Sequence, residues 1–342
     1  MPIPATPLLS TSTNVGAVMR QVLYALIPGV LAHVWYFGAG VLINIALATI
    51  AALLCEAGML AARGRTIKPY LSDYSAVVTA VLLALALPPL VPWWLVLVGV
   101  LFAIVIAKHL YGGIGFNPFN PAMVGYVVLL ISFPRDMTQW LTPQLLSAHV
   151  LNTQEMLQLV FTGQLPPGVA IDAVTSATPL DTVKTQLGLG KTLSEIRAAP
   201  LFGDFGGRGW EWIANWYALG GLWLLYRRVI GWQIPVGMLG ALFCIALLFY
   251  VIDPDTHASP FFHIFSGAAI LGAFFIATDP VTASGTPRGR LIFGAGIGFI
   301  TYLIRSFGGY PDGVAFAVLL MNLAAPMIDY YTQPRVFGKT DG

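Results

Sequence analysis

Apolar residues run along this chain in long stretches, such as 22–35 and 91–107, separated by short clusters of Gly, Pro, Ser and charge. A bilayer-spanning helix needs about 20 mostly apolar residues. The pattern predicts ten membrane helices, at 21–38, 40–60, 74–88, 92–110, 120–133, 212–229, 233–252, 261–278, 290–305 and 311–330. The third and fifth are short and lie beside turn formers. Pro88-Pro89 follows the third, and Gly112-Gly113 and Asn117-Pro118 precede the fifth. Backbone that leaves the helix at membrane depth survives only where protein or a water-filled cavity covers it. Such breaks are where a transport or cofactor site is sought. The predicted fold class is an all-α polytopic membrane protein.

Composition sharpens this. The 342 residues are 57% hydrophobic and 9% charged, against about 25% charged in soluble domains. A soluble enzyme, a nucleic-acid binder and a disordered chain are excluded. The net charge of +2 gives no reason to expect nucleic acid. Cys55 and Cys244 both sit in apolar stretches and read as packing residues, not as a metal site or a disulfide. The first 19 residues lack the short apolar core of a cleavable signal peptide, so the first membrane helix is expected to direct insertion.

Charge then orients the helices. Arg20, Arg63, Arg65, Lys68, Lys108, Arg227, Arg228, Arg288, Arg290, Arg335 and Lys339 fall on one side if the helices alternate. On the other side, the short connections hold only Arg305. Arg135, Lys184, Lys191, Arg197 and Arg208 lie in one long loop. Both termini are therefore predicted to be cytoplasmic and the long loop periplasmic. The predicted organisation is a cytoplasmic segment 1–20, a five-helix half 21–133, a folded periplasmic loop 134–211, a second five-helix half 212–330 and a cytoplasmic tail 331–342. An odd number of helices per half sets the halves in opposite directions, the condition for an inverted repeat. Gly115-Phe116-Asn117-Pro118 echoes Gly308-Gly309-Tyr310-Pro311, and Asp73-Tyr74-Ser75-Ala76 echoes His263-Ile264-Phe265-Ser266.

With so few ionisable groups, chemistry must rest on a few residues or on a bound cofactor. The loop contains Asp172-Ala173-Val174-Thr175-Ser176-Ala177-Thr178-Pro179-Leu180-Asp181. The plainer reading is a Ser/Thr turn that satisfies its own backbone.

The same stretch also resembles a flavinylation motif, Asp-x-x-(Ser/Thr)-(Gly/Ser)-Ala-(Ser/Thr), with Asp172, Thr175, Ser176, Ala177 and Thr178 in its places. Together with Phe116-Asn117-Pro118-Phe119-Asn120-Pro121-Ala122 and Phe274-Phe275-Ile276-Ala277-Thr278-Asp279-Pro280-Val281-Thr282, it makes the chain similar throughout to the NqrB/RnfD family. That family supplies membrane subunits to the Rnf (Rsx) electron-transport complex and to the sodium-pumping NADH:quinone reductase. The Ala-Thr-Pro-Leu continuation favours the RnfD branch. The resemblance implies FMN attached through its phosphate to Thr178 by a flavin transferase, and a non-covalent riboflavin in the membrane part. It further implies partnership with the other Rnf subunits (RnfA, RnfB, RnfC, RnfE and RnfG), membrane lipid around the subunit, and coupling of NADH- and ferredoxin-linked electron transfer to Na⁺ or H⁺ movement across a bacterial inner membrane. Lys184, six residues beyond Thr178, is a candidate partner for the phosphate. The subunit is not expected to be catalytic alone, because no Gly-rich dinucleotide loop follows a strand and two separated cysteines cannot hold an iron–sulfur cluster.

Asn117, Asn120 and Asp279 sit with prolines at breaks, so their oxygens and freed carbonyls are candidates for an ion path or a second flavin. Glu56, Asp73 and Asp329 lie near predicted cytoplasmic ends, where side chains snorkel to water, and His33 lies near the outer interface. Asp253–His257 reads as a solvated turn. Trp93, Trp94, Trp210, Trp212, Trp216, Trp223 and Trp232 read as an interfacial belt. The competing function class is a flavin-free channel or solute transporter with an inverted-repeat pore.

Overall fold

A computed structural model describes residues 15–333. Arg335 and Lys339 of the predicted tail, and the first 14 residues of the N-terminal segment, lie outside the described residues. Among the described residues, five helices are long and apolar enough to cross a membrane: Val15–Phe37, Gly40–Ala62, Gln233–Ile252, Pro287–Phe307 and Val314–Thr332. The chain is thus a helical, multi-pass membrane protein. These are the first, second, seventh, ninth and tenth predicted segments, and Trp210–Tyr226 is the sixth.

The remaining segments are short or irregular. The third, Ser75–Ala86, has 12 residues, about 18 Å of helix, and ends where Leu87 turns extended before Pro88-Pro89. The fourth begins as Trp93–Val100 and continues as a π-helix, Leu101–His109. The fifth, Pro121–Ser132, also has 12 residues. The eighth is broken outright. Pro260–Phe265 stops at Ser266, Gly267 is left-handed (φ 62°), and the chain resumes as Ala269–Leu271 and a π-turn, Gly272–Ile276.

Packing pairs the segments in a regular way. The first lies against the sixth and the fifth against the tenth; the second packs on the third and fourth, as the seventh packs on the eighth and ninth. Where the first and sixth cross, backbones nearly touch, and a Cβ on Gly220 would collide with the carbonyl of Ala25. Small residues at such crossings replace the hydrophobic effect, which is weak between helices in lipid.

The loop between the fifth and sixth segments is folded, in keeping with its length. Thr153–Thr162 and Leu193–Arg197 each begin with a capping box, Asn152 with Glu155 and Thr192 with Glu195. Leu180, Val183, Leu193, Ile196 and Phe202 make a small core with Ala258 and with Phe262 of the eighth segment. Asp253–His257 is the expected turn, with Asp253 accepting from the Asp255 N–H and Thr256 hydroxyl.

Gly220→Val should force the first and sixth segments apart. Overpacking of this kind costs about 1–3 kcal/mol, so the detergent-solubilised protein should unfold at a clearly lower temperature than the wild type.

Candidate functional site

Within the loop, Asp172 sits on a single helical turn, Ile171–Ala173. Thr175–Ser176 forms a two-residue strand antiparallel to Trp140–Leu141, with Trp140 opposite Ser176, and the Thr175 hydroxyl donates to the Ile171 carbonyl at 2.9 Å. Thr178 is extended (φ −66°, ψ 160°) and caps the helix Pro179–Gly188, its Oγ1 accepting the Asp181 N–H at 3.2 Å. Proline at the first helical position fits, since that N–H has no partner in a helix. The hydroxyl therefore does make the local turn expected of a Ser/Thr stretch. It also stands at a ten-residue helix N-terminus, where backbone donors and the dipole favour an anion.

Lys184 points elsewhere. Its Nζ donates to the carbonyls of Ile304, Arg305 and Tyr310 at 3.3, 3.2 and 2.8 Å. All three hydrogens of an ammonium are thereby directed at the C-terminal end of the ninth segment, where a cation is favoured. Burial holds the Lys184 ammonium below its ordinary pKa and pushes the Asp181 carboxyl up.

Thr178, Pro179, Leu180 and Asp181 line a cavity that runs inward between the membrane segments. Its walls include Trp140, Trp210, His33, Tyr126 and Tyr217. Trp210 packs against Trp140 (ring centres 4.9 Å apart) and Phe37 (4.8 Å), and Phe37 packs against His33 (5.2 Å). Trp210 is thus a cavity wall, whereas Trp93, Trp94, Trp212, Trp216, Trp223 and Trp232 are exposed. His33, near the end of the first segment, is buried. Beside the cavity, the buried Arg305 closes the break in the eighth segment. It pairs with Asp312 at 3.0 Å and donates to the carbonyls of His263 and Ser266, and Asp312 accepts the Ala268 N–H at 2.8 Å. Gly267 fits between Asp312, Leu180 and Arg305, where a Cβ would strike all three.

A second cavity lies at the opposite ends of the first, third and sixth segments. Asn117, Asn120 and Asp279 all line it, with Ser75, Lys108, Arg227 and Arg228. The sequence-predicted trio is therefore brought together, beside three of the cations that the charge pattern puts on one membrane side. Asn120 caps the fifth segment by accepting the Met123 N–H at 3.2 Å. Its amide donates to the Ile276 carbonyl at 3.2 Å, and its backbone N–H donates to Asn322 Oδ1 at 3.0 Å. Asp279 accepts from the Val281 N–H and the Thr282 hydroxyl. Glu56 does not snorkel. It is 2% exposed, with Lys108 Nζ at 2.9 and 2.8 Å from its two oxygens and His109 Nε2 at 3.1 Å. Lys108 also donates to the Ser75 hydroxyl, which Asp73 holds in turn. Opposite charges within apolar helices are the available signal for this pairing; nothing in the sequence points to Tyr217 or Trp140 as cavity walls.

The flavinylation-like segment and the two asparagine- and aspartate-bearing membrane stretches thus each border a cavity, and the chain matches the profile of the NQR2, RnfD, RnfE family over residues 3–338. The chain belongs to that family. Three relatives share one name, the D subunit of an ion-translocating oxidoreductase complex. The protein of Aliivibrio salmonicida is 52% identical, covering 99% of both chains; that of Alcanivorax borkumensis is 56% identical, covering 97% of this chain and 95% of its own; that of Vibrio cholerae is 53% identical, covering 98% and 99%.

Asn120→Ala removes the helix cap on the Met123 N–H and one of the two donors to the Ile276 carbonyl, which keeps the Asp279 N–H. Loss of such a cap costs about 1 kcal/mol. The variant should lose several degrees of thermal stability in detergent, with hydrogen exchange fastest at the start of the fifth segment and around Ile276.

Proposed function

We propose that this chain is a membrane subunit of a complex that couples electron transfer to ion translocation, and that it carries FMN on Thr178. The family membership and the shared name of its relatives support the coupled function. One observation carries the flavin reading. The hydroxyl fitting the flavinylation motif stands at a helix N-terminus and, at the same time, at the wall of an aromatic-lined cavity. A phosphoester on Thr178 would leave the phosphate at the N-terminal donors of Pro179–Gly188 and the ring within reach of Trp140 and Trp210. Bound there, FMN supplies reversible electron transfer, for which the side chains themselves have no means. The protein contributes position, exclusion of water and hydrogen bonds. Lys184 seats the flavin-bearing helix on the ninth segment, and Arg305 with Asp312 fixes the break that lines the cavity.

In this reading the second cavity, with the amides of Asn117 and Asn120, is the place for a non-covalent riboflavin, and Asp279 with its neighbours borders the path of Na⁺ or H⁺. The ten apolar segments span the membrane as two inverted halves. The paired packing supports this, as does the left-handed residue that opens both the third segment (Tyr74, φ 60°) and the inner part of the eighth (Gly267, φ 62°). The subunit sits in a bacterial inner membrane with cytoplasmic termini and a periplasmic loop, matured there by a flavin transferase and assembled with RnfA, RnfB, RnfC, RnfE and RnfG.

Protein co-expressed with a flavin transferase should give a fluorescent band on a denaturing gel, and the peptide containing Thr178 should carry the added mass of FMN less water. Thr178→Ala should abolish both. A wild-type peptide of unmodified mass under these conditions would sink the flavin reading and return the chain to the transporter class.

A further inference from the structure

The cavity beside Thr178 holds two polar side chains with nothing to bind. His33 is 3% exposed and Tyr217 4% exposed. Neither ring nitrogen of His33, nor the hydroxyl of Tyr217, has a hydrogen-bond partner among the described residues. Both residues line the cavity. A buried polar group left unpaired costs about 1–3 kcal/mol, and such groups in native proteins call for an explanation. Here the surroundings are otherwise apolar and closely packed. His33 rests on Phe37, and the Tyr217 ring lies edge-on to Phe275. Leu85, Met123, Ile213 and Ile270 complete that part of the wall. Packing alone would be served better by Phe or Leu at both positions, and both polar side chains border the space that a ligand would fill.

We propose that His33 and Tyr217 are positioning residues that hydrogen-bond the polar edge of a flavin ring system held in this cavity. The inference rests on the flavin reading of Thr178 and adds to it the groups that would recognise the ring. The chemistry matches. The ring of a flavin is a flat aromatic body with carbonyl oxygens and ring nitrogens along one edge, and the cavity offers aromatic walls together with a phenol donor and an imidazole that both donates and accepts. Thr178 would fix the phosphate end, and His33 and Tyr217 the ring end. Reduction adds electron density to that polar edge, so donors aimed at it favour the reduced form. Removing them should lower the midpoint potential without touching attachment.

The experiment is a spectroelectrochemical titration of the purified flavinylated protein, with the mass of the Thr178 peptide measured for each variant. His33→Phe and Tyr217→Phe should both keep the added FMN mass and titrate at lower potential than the wild type, and His33→Gln, which retains a donor and an acceptor, should return toward the wild-type value. Flavinylated His33→Phe protein that titrates at the wild-type potential overturns the proposal, as it would if the two side chains only bind ordered water. Where His33→Phe does not accumulate folded, Tyr217→Phe, which loses a single oxygen atom, decides by the same criterion. An unmodified Thr178 peptide in the wild type is a different failure, that of the flavin reading itself.

Discussion

A carbonyl released from its helix inside a membrane has no water to turn to, and each one left unpaired costs several kcal/mol. This chain releases carbonyls at its breaks, and its few polar side chains answer them. Asn44 donates to the Pro88 carbonyl at 2.9 Å where the third segment ends. Asn120 takes that of Ile276, and Asn322 that of Thr282 at 3.1 Å. Arg305 takes those of His263 and Ser266, and Lys184 takes three at the end of the ninth segment. Several of these donors come from far along the chain, so satisfying a local break also clasps distant segments together. Asn44, Asn120, Asn322, Arg305 and Lys184 thus each stand where backbone leaves the helix.

The breaks also determine where the cavities lie. Short third and fifth segments and an interrupted eighth cannot fill the space that full spans would fill, and a cavity opens at either end of the gap. Little separates the two. Ala122 faces one and Met123 the other; Phe275 faces one and Ile276 the other. The dividing wall is thus the start of the fifth segment and the π-turn of the eighth, joined by the hydrogen bond from Asn120 to Ile276. A π-turn leaves backbone groups less regularly paired than an α-helix and often marks a functional position. In the proposed reading, this wall would lie between the two flavins.

The breaks beside the third and fifth segments are legible in the sequence because Pro and Gly announce them, and the segments because apolar runs of 20 residues are a strong signal; the break at Ser266-Gly267 inside the eighth, read as continuous over 261–278, is not. Donor–carbonyl pairing is not legible. Asn44 and Pro88, or Lys184 and Tyr310, are joined by tertiary packing that no local pattern encodes. Lys184 illustrates the error this invites. Six residues from Thr178, it has the spacing of a phosphate partner, yet a lysine in the second turn of that helix faces the ninth segment. For His33 and Trp210, position along a helix suggests an interface but says nothing of which face is covered. The same holds for Glu56, whose place near a helix end suggests snorkelling. The π-helix instead brings the consecutive residues Lys108 and His109 onto its one carboxylate, although neighbours in an α-helix do not face a common point.

The local geometry at Thr178 reconciles its two readings. As a free hydroxyl it caps Pro179–Gly188 by accepting the Asp181 N–H. Esterified, the same oxygen would be a poorer acceptor, but the free oxygens of the phosphate it carries would stand before the same N-terminal donors, so capping would pass from the hydroxyl to the phosphate. The opposing factor is Asp181, a carboxylate in the first turn. Burial raises the pKa of that carboxyl, against the opposing pull of Lys184. In the proposed reading, the turn that makes the motif look ordinary is also what would present a substituent on Thr178 to the helix N-terminus.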